Sequence, residues 1–355
     1  MASAIVLGGY GVFGRLVCRE LARRGVTVTV AGRDVARAED LATELGAPHR
    51  GIRADASRAH ECGAAFEGHA VVVCAAGPFS ELDGGLLEAC LAARCHWVDI
   101  ADDRQWVAQV LSMSGRFAEA ERTAAWGCSS LPGISGALGL VAREGIEEAP
   151  QAARVTLFIG NDNPKGAAAI RTAQAQLGRA IRAPQGVLRG FRGGEVVDLP
   201  APFGPRTVRN FESPDYDVLP ERLGVREVRV KAGLELRSAN AAFGLLGWLG
   251  IGRGKTMARI LVAIGRLAGG RGSSGGVVQT ELFWSDGSSS RASLSGAARG
   301  QHMAALPAAL AAESLCDGSG PSPGAVTAYD LVGPRRLLDA IAAEGFDLRI
   351  DGRSR

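Results

Sequence analysis

Between Ala4 and Arg33 the chain reads AIVLGGYGVFGRLVCRELARRGVTVTVAGR, and this order of residue types leaves few folds open. Ile5, Val6 and Leu7 make an apolar strand that runs into glycines at 8, 9, 11 and 14. A segment of helical period follows, with Leu16, Val17, Leu21 and Ala22 on one face; Gly25 then leads into a β-branched run, Val26 to Val30. Strand, GxGxxG, helix, strand is the order of a dinucleotide-binding unit. Gly9 is expected to make the tight turn, Gly11 to let backbone approach a pyrophosphate, and Gly14 to let helix and strand pack closely. The helix N-terminus supplies N–H groups and its dipole to the phosphates. The expected cofactor loop is therefore Gly8, Gly9, Gly11, Val12, Phe13 and Gly14.

The end of the second strand selects the nicotinamide cofactor. An acid there would hold the ribose 2′-hydroxyl of NAD, whereas arginine suits the 2′-phosphate of NADP. The chain has Gly32-Arg33-Asp34, with Arg37 one helical turn on. Arg33 stands where the acid would be, and Arg33 with Arg37 can fork a phosphate, so NADP is the expected cofactor. Asp34, one residue later, is the competing NAD reading, and Arg37 has a plainer reading as a solvated helix charge.

Alternating strands and helices complete an α/β, Rossmann-type first domain over residues 1–150. Asp55 closes a short third strand and is read either as an acceptor for the adenine amino group or as a helix N-cap. Ala70 to Cys74 is a buried fourth strand, ending at Ala75-Ala76-Gly77-Pro78-Phe79, where small residues would let a cofactor lie against the backbone. His96–Ile100 and Thr123–Cys128 follow as fifth and sixth strands, the latter running on to Leu131-Pro132-Gly133. Ala75, Ala76, Gly77, Pro78 and Pro132 are added to the cofactor-binding set.

From about residue 152 the alternation breaks. A helix over 166–181, a hairpin of 187–192 with 195–199 across Gly193-Gly194, and strands at 206–211, 225–231, 276–284 and 289–294 predict an α+β second domain, residues 151–329, with a mixed or antiparallel sheet. The terminal segment, 330–355, is expected to be helical and to pack back on the first domain.

A net charge of +3 offers no electrostatic case for nucleic acid. Seven cysteines without CxxC or His/Cys spacing suit a reducing cytoplasm and no metal. The chain enters a strand within four residues, leaving no room for a signal peptide, and Ser238–Gly252 is too short to span a bilayer.

Four segments together resemble a known family: Gly8 to Gly14, Cys74-Ala-Ala-Gly-Pro-Phe79, Ala89 to Ala101 with its Cys-His-Trp-Val-Asp core, and Leu131-Pro-Gly-Ile-Ser135. They resemble the saccharopine dehydrogenase-like oxidoreductases over residues 1–140, and more weakly at Gly272–Gly276 and Leu331–Phe346. The resemblance implies an NAD(P)-dependent enzyme with a Rossmann domain and a mixed-sheet second domain, often dimeric. True saccharopine reductases carry an aspartate where this chain has Leu131, so their substrate is not carried over. A short-chain dehydrogenase would need lysine four residues after a tyrosine, but Tyr10, Tyr216 and Tyr329 are followed there by Gly14, Pro220 and Gly333.

Hydride transfer needs a partner acid or base. Asp99, with Asp102 and Asp103 behind it, stands after the fifth strand, and Lys165 follows Asn161-Asp162-Asn163-Pro164. Asp99 and Lys165 are the catalytic candidates, against plainer roles as a helix cap and a solvated charge. The expected function is an NADP(H)-dependent oxidoreductase acting on a small organic substrate, an imine or a conjugated C=C, in a homodimer. The alternative is a cofactor sensor or membrane-peripheral protein. It draws on residues 241–268, two apolar helical stretches with Arg253, Lys255, Arg259 and Arg266 interspersed, whose plainer reading is core or dimer interface.

Overall fold

The computed structural model describes residues 3–164, 166–251, 254, 272–318 and 323–354. The chain forms two compact units, residues 1–129 with 304–333 and residues 130–303 with 334–355.

In the first unit the alternation expected from sequence is realised as β1 (Ser3–Leu7), α1 (Val12–Arg23), β2 (Thr27–Gly32), α2 (Val35–Leu45), β3 (Arg50–Arg53), α3 (Ala59–Phe66), β4 (Val71–Cys74), α4 (Gly85–Ala92), β5 (His96–Asp99), α5 (Arg104–Ser112), α6 (Ser114–Glu119) and β6 (Thr123–Trp126). A further strand, β15 (Gly324–Thr327), returns from late in the chain to pair with β6. All seven strands are parallel, in the order β15-β6-β5-β4-β1-β2-β3. The order reverses between β1 and β4, and that switch point is where open α/β sheets bind ligands, beyond the carboxyl ends of the strands.

The central strands read as unbroken apolar runs because crossover helices cover both faces. Ile5, Val6, Leu7 and Val71 to Cys74 are accordingly fully buried. Three histidines finish this sheet as hydrogen-bond partners, not as site residues. His49 Nδ1 accepts from Val28 N at 3.0 Å and His96 Nδ1 from Thr123 N at 3.0 Å, while His69 Nε2 lies 2.9 Å from Thr29 Oγ1.

The second unit comprises α7 (Ser135–Ala142), β7 (Ala152–Ile159), α8 (Ala167–Ala175), β8 (Ala180–Ala183), β9 (Gly186–Arg189), β10 (Glu195–Leu199), β11 (Gly204–Asn210), α9 (Asp215–Leu223), β12 (Glu227–Leu234), α10 (Arg237–Leu249), β13 (Gly276–Phe283) and β14 (Ser289–Gly296). Helix α11 (Gly300–Cys316) follows, its residues from 304 on counted with the first unit; α12 (Ala328–Val332), α13 (Pro334–Ala343) and β16 (Asp347–Ser354) end the chain. The sheet runs β10-β11-β12-β7-β13-β14-β16 and is mixed: β7 and β12 are parallel and the other neighbours antiparallel. α7 packs on β13 and β14, and Thr280 Oγ1 donates to Ser135 O at 2.9 Å. A second cluster joins Phe158, Val197, Leu199, Phe203, Val208 and Val277. Glu281, almost fully buried, is held by Arg154 and Arg291, each at 2.7 Å and each directly opposite it on a neighbouring strand.

Three expectations need correction. From Pro334 on, the terminal segment groups with the second unit: α13 lies against α7, and β16, a strand and not a helix, extends the second sheet beside β14. The hairpin across Gly193-Gly194 does not form; β9 pairs with β8, and β10 pairs with β11. Phe191 N donates to Asn210 O at 2.8 Å, Gly193 has φ +63° beside the Asn210 amide, and Lys231 Nζ donates to Gly193 O at 2.8 Å, so the glycines pass the chain between pairings. The helix over 166–181 is shorter, because α8 stops at Ala175 and β8 begins at Ala180.

Candidate cofactor and active site

The cofactor loop is built on contacts that leave no space for side chains. Gly8 has φ +70°, and a Cβ there would lie 2.8 Å from Ala76 Cα. At Gly14 a Cβ would lie 2.2 Å from Gly8 O, so only glycine lets the first turn of α1 sit on the β1 turn. Gly9 N donates to Ala31 O at 3.0 Å and Gly11 N to Gly8 O at 2.8 Å, which folds the loop back onto β2. Gly11 is the N-cap of α1 and no side chain caps this end, which leaves the Val12 and Phe13 N–H groups at a bare helix N-terminus. Beside it, Ala75 N donates to Leu7 O at 2.9 Å; Ala75 and Ala76 are half-buried, Gly77 is exposed and Pro78 is buried. The two loops form one backbone-lined cradle at the β1/β4 switch point, which fits a dinucleotide pyrophosphate.

At the end of β2 the side chains sort themselves. Asp34 caps α2, its carboxylate accepting from Arg37 N at 3.3 Å. Its own N–H donates to Tyr10 Oη at 2.9 Å, and the Arg37 guanidinium lies over the Tyr10 ring, 4.5 Å from its centroid. Tyr10 reaches this place across Gly32, where a Cβ would stand 2.3 Å from the ring. Asp34 is therefore engaged with the helix, while Arg33 and Arg37 are exposed at the adenosine side. Tyr10 was not singled out from sequence; the signal available was an aromatic inside the glycine loop together with a glycine ending the next strand.

Asp55 is the N-cap of no helix, since Arg58 caps α3. Its Oδ1 accepts from Ser57 N at 3.0 Å and Ser57 Oγ at 2.8 Å, a local turn. These bonds, with the Arg33 and Arg58 charges, outweigh desolvation and hold the carboxyl below its ordinary range.

The catalytic expectation for Asp99 is corrected by its surroundings. It ends β5 as expected, but it is fully buried. Oδ2 accepts from Trp97 Nε1 at 2.8 Å and Trp106 Nε1 at 3.0 Å; Oδ1 accepts from Gly127 N at 2.9 Å and Ala101 N at 3.0 Å. Burial pushes its carboxyl up despite these four donors. With its acceptor positions filled and no surface, Asp99 ties β5, α5 and the turn after β6 together. Asp103 is likewise committed, capping α5 through Gln105 N at 3.0 Å and Trp106 N at 2.9 Å. Asp102, between them, is half-buried, and desolvation with the Asp103 charge raises its carboxyl to about 6.

Of the remaining expected residues, Pro132 belongs to the second unit, buried in the turn Ser130–Ile134 that leads into α7. Lys165 lies outside the described residues.

Residues 4–126 match the saccharopine dehydrogenase NADP binding domain. Among solved structures, the apo saccharopine dehydrogenase (L-Glu forming) from Saccharomyces cerevisiae superposes with a TM-score of 0.70 at 12% identity, over 100% of both chains. Serine dehydrogenase from Escherichia coli superposes over 35% of this chain and 80% of its own, at 15% identity and a TM-score of 0.31. No curated protein matches by sequence. Residues 4–126 are thus an NADP-binding domain of the saccharopine dehydrogenase type, and the chain as a whole has the saccharopine dehydrogenase fold.

Proposed function

We propose that the protein reduces an imine or a conjugated C=C of a small organic molecule, with Asp102 as the group that handles the proton. The observation that supports this reading is the placement of Asp102. It follows β5 at the carboxyl edge of the sheet, where α/β folds present ligands, and its carboxyl is raised to about 6. NADPH, when bound, would supply the hydride. The glycine loop and the Ala75–Pro78 turn hold the pyrophosphate, while Arg33 and Arg37 take the 2′-phosphate. Protonated Asp102 gives its proton to the imine nitrogen, or to the α-carbon of the alkene, as hydride reaches the other atom of the double bond; in oxidation the carboxylate takes that proton back.

The reduction requires the acid form, so kcat falls as pH rises through about 6, and the oxidation shows the opposite slope. The test is a panel of imines and enones followed by NADPH consumption, run with the wild type and with Asp102→Asn. The variant is expected to keep its NADPH affinity, lose about 10²–10⁴-fold in kcat and lose the pH step. An unchanged pH profile in Asp102→Asn removes Asp102 from the mechanism.

A further inference from the structure

Two segments of the second unit carry charge of one sign only. From Asn163 to Gly194, and again from Leu236 to Thr280, there is no Asp or Glu, in a chain that has 37; the same two segments hold twelve of its 40 Lys and Arg. The fold joins the segments. Arg192 donates from Nε to Gly247 O at 3.0 Å and from Nη2 to Trp248 O at 2.6 Å, which fixes β9 and its following turn to the end of α10. The Phe191 and Phe243 rings stand 5.2 Å apart, and Gln174 Nε2 of α8 donates to Gly254 O at 2.8 Å.

α10 has two unlike faces. Gly244 and Gly247 are buried, the first against the Arg209 guanidinium and the second against Phe191. On the other face Leu245, Trp248, Leu249 and Ile251 are 58, 65, 48 and 53% exposed, and Val187 of β9 is 68% exposed. Five of the ten large apolar side chains exposed among the described residues thus come from this one module. Leu245, Trp248 and Leu249 follow helical i, i+3, i+4 spacing and form a single stripe. Arg179, Arg182, Arg189 and Arg237 are exposed on the same module.

We propose that this face of α10, with the β8–β9 hairpin, docks on an anionic lipid surface. An apolar stripe containing a tryptophan, on segments that contribute cations and no carboxylate of their own, matches a bilayer interface: the stripe enters the acyl boundary and the guanidinium groups meet lipid phosphates. A nucleic acid would take up the cations but leave the stripe in water. Among the described residues no helix is long and apolar enough to cross a membrane, so the contact is one that lies on the surface.

The experiment is flotation of the whole protein with phosphatidylcholine vesicles and with mixed phosphatidylcholine–phosphatidylserine vesicles. Flotation is expected only with the mixed vesicles and is expected to weaken in high salt. Trp248→Ser with Leu249→Ser, and separately Arg179→Glu with Arg189→Glu, should each weaken it by about tenfold. NADPH titration, which reports the first unit, together with an unchanged melting curve, shows that each variant is folded. Absence of flotation with the mixed vesicles, equal flotation with neutral ones, or variants that float like the wild type would overturn the proposal. Salt-sensitive binding to duplex DNA without flotation would assign the cations to nucleic acid instead.

Discussion

Replacing Asp99 by asparagine separates a structural carboxylate from a catalytic one. Asparagine keeps one carbonyl oxygen, enough for the Ala101 and Gly127 N–H groups that now reach Oδ1. Its amide NH₂ would then face the indole N–H groups of Trp97 and Trp106, donor against donor, where Oδ2 now accepts at 2.8 and 3.0 Å. Two hydrogen bonds to a charged group are lost, at about 1.5–3 kcal/mol each. Relief of the buried charge offsets part of this, because burial already raises the Asp99 carboxyl. A net loss of about 3 kcal/mol follows, equivalent to a fall in Tm of roughly 6–12 °C for the first unit, residues 1–129 with 304–333. Chemical denaturation followed by tryptophan fluorescence is the direct assay, since Trp97 and Trp106 are themselves the partners. Below the transition the variant should bind NADPH like the wild type. Wild-type stability combined with abolished turnover would refute the argument and return Asp99 to the reacting centre.

Arg33→Ala and Arg37→Ala should each weaken NADPH by about 1.5–3 kcal/mol and leave NADH nearly unchanged in fluorescence titrations, the range for a hydrogen bond to a charged group; equal losses for both cofactors would deny them the 2′-phosphate. Gly32→Ala places a methyl 2.3 Å from the Tyr10 ring, so the ring that carries Arg37 must leave, and NADPH affinity should fall further than NADH affinity. Acid should destabilise the first unit through His96, whose pKa is lowered by burial and by Arg122 to about 4. The fold holds this imidazole neutral and the unfolded chain does not, so stability is full above pH ~6.5 and declines as pH falls toward 4, by about 2–3 kcal/mol in all. Denaturation midpoints that do not change between pH 7 and pH 4.5 would contradict this.

The glycine loop and the first six strands of the Rossmann unit were legible because their causes are local. Gly14 is required by a backbone oxygen within the same βα turn, and continuous apolar runs such as Val71–Cys74 follow from coverage on both faces. β15 was not legible: four residues without strong periodicity, Gly324–Thr327, become a strand only because the β6 edge, some 200 residues earlier, offers them partners. The pairing of β16 with β14, and of β9 with β8 in place of β10, has the same origin. Short strands carry no record of which edge they will meet, because the ladder bonds are made by backbone groups common to every residue.

Sequence by itself determined the type of the first domain and its glycine loop, since the spacing of Gly8, Gly11 and Gly14 is a property of one short stretch of chain. Only the tertiary structure decided what each carboxylate does. Asp99, Asp102 and Asp103 are near-identical in sequence setting, yet one is enclosed by two indoles and two amides, one caps a helix, and one is left half-buried with a raised pKa. The indole of Trp106 and the amide of Gly127 reach Asp99 from other elements, and a side chain's ionisation depends on the field and the donors that packing brings to it. That information enters only when the chain is folded.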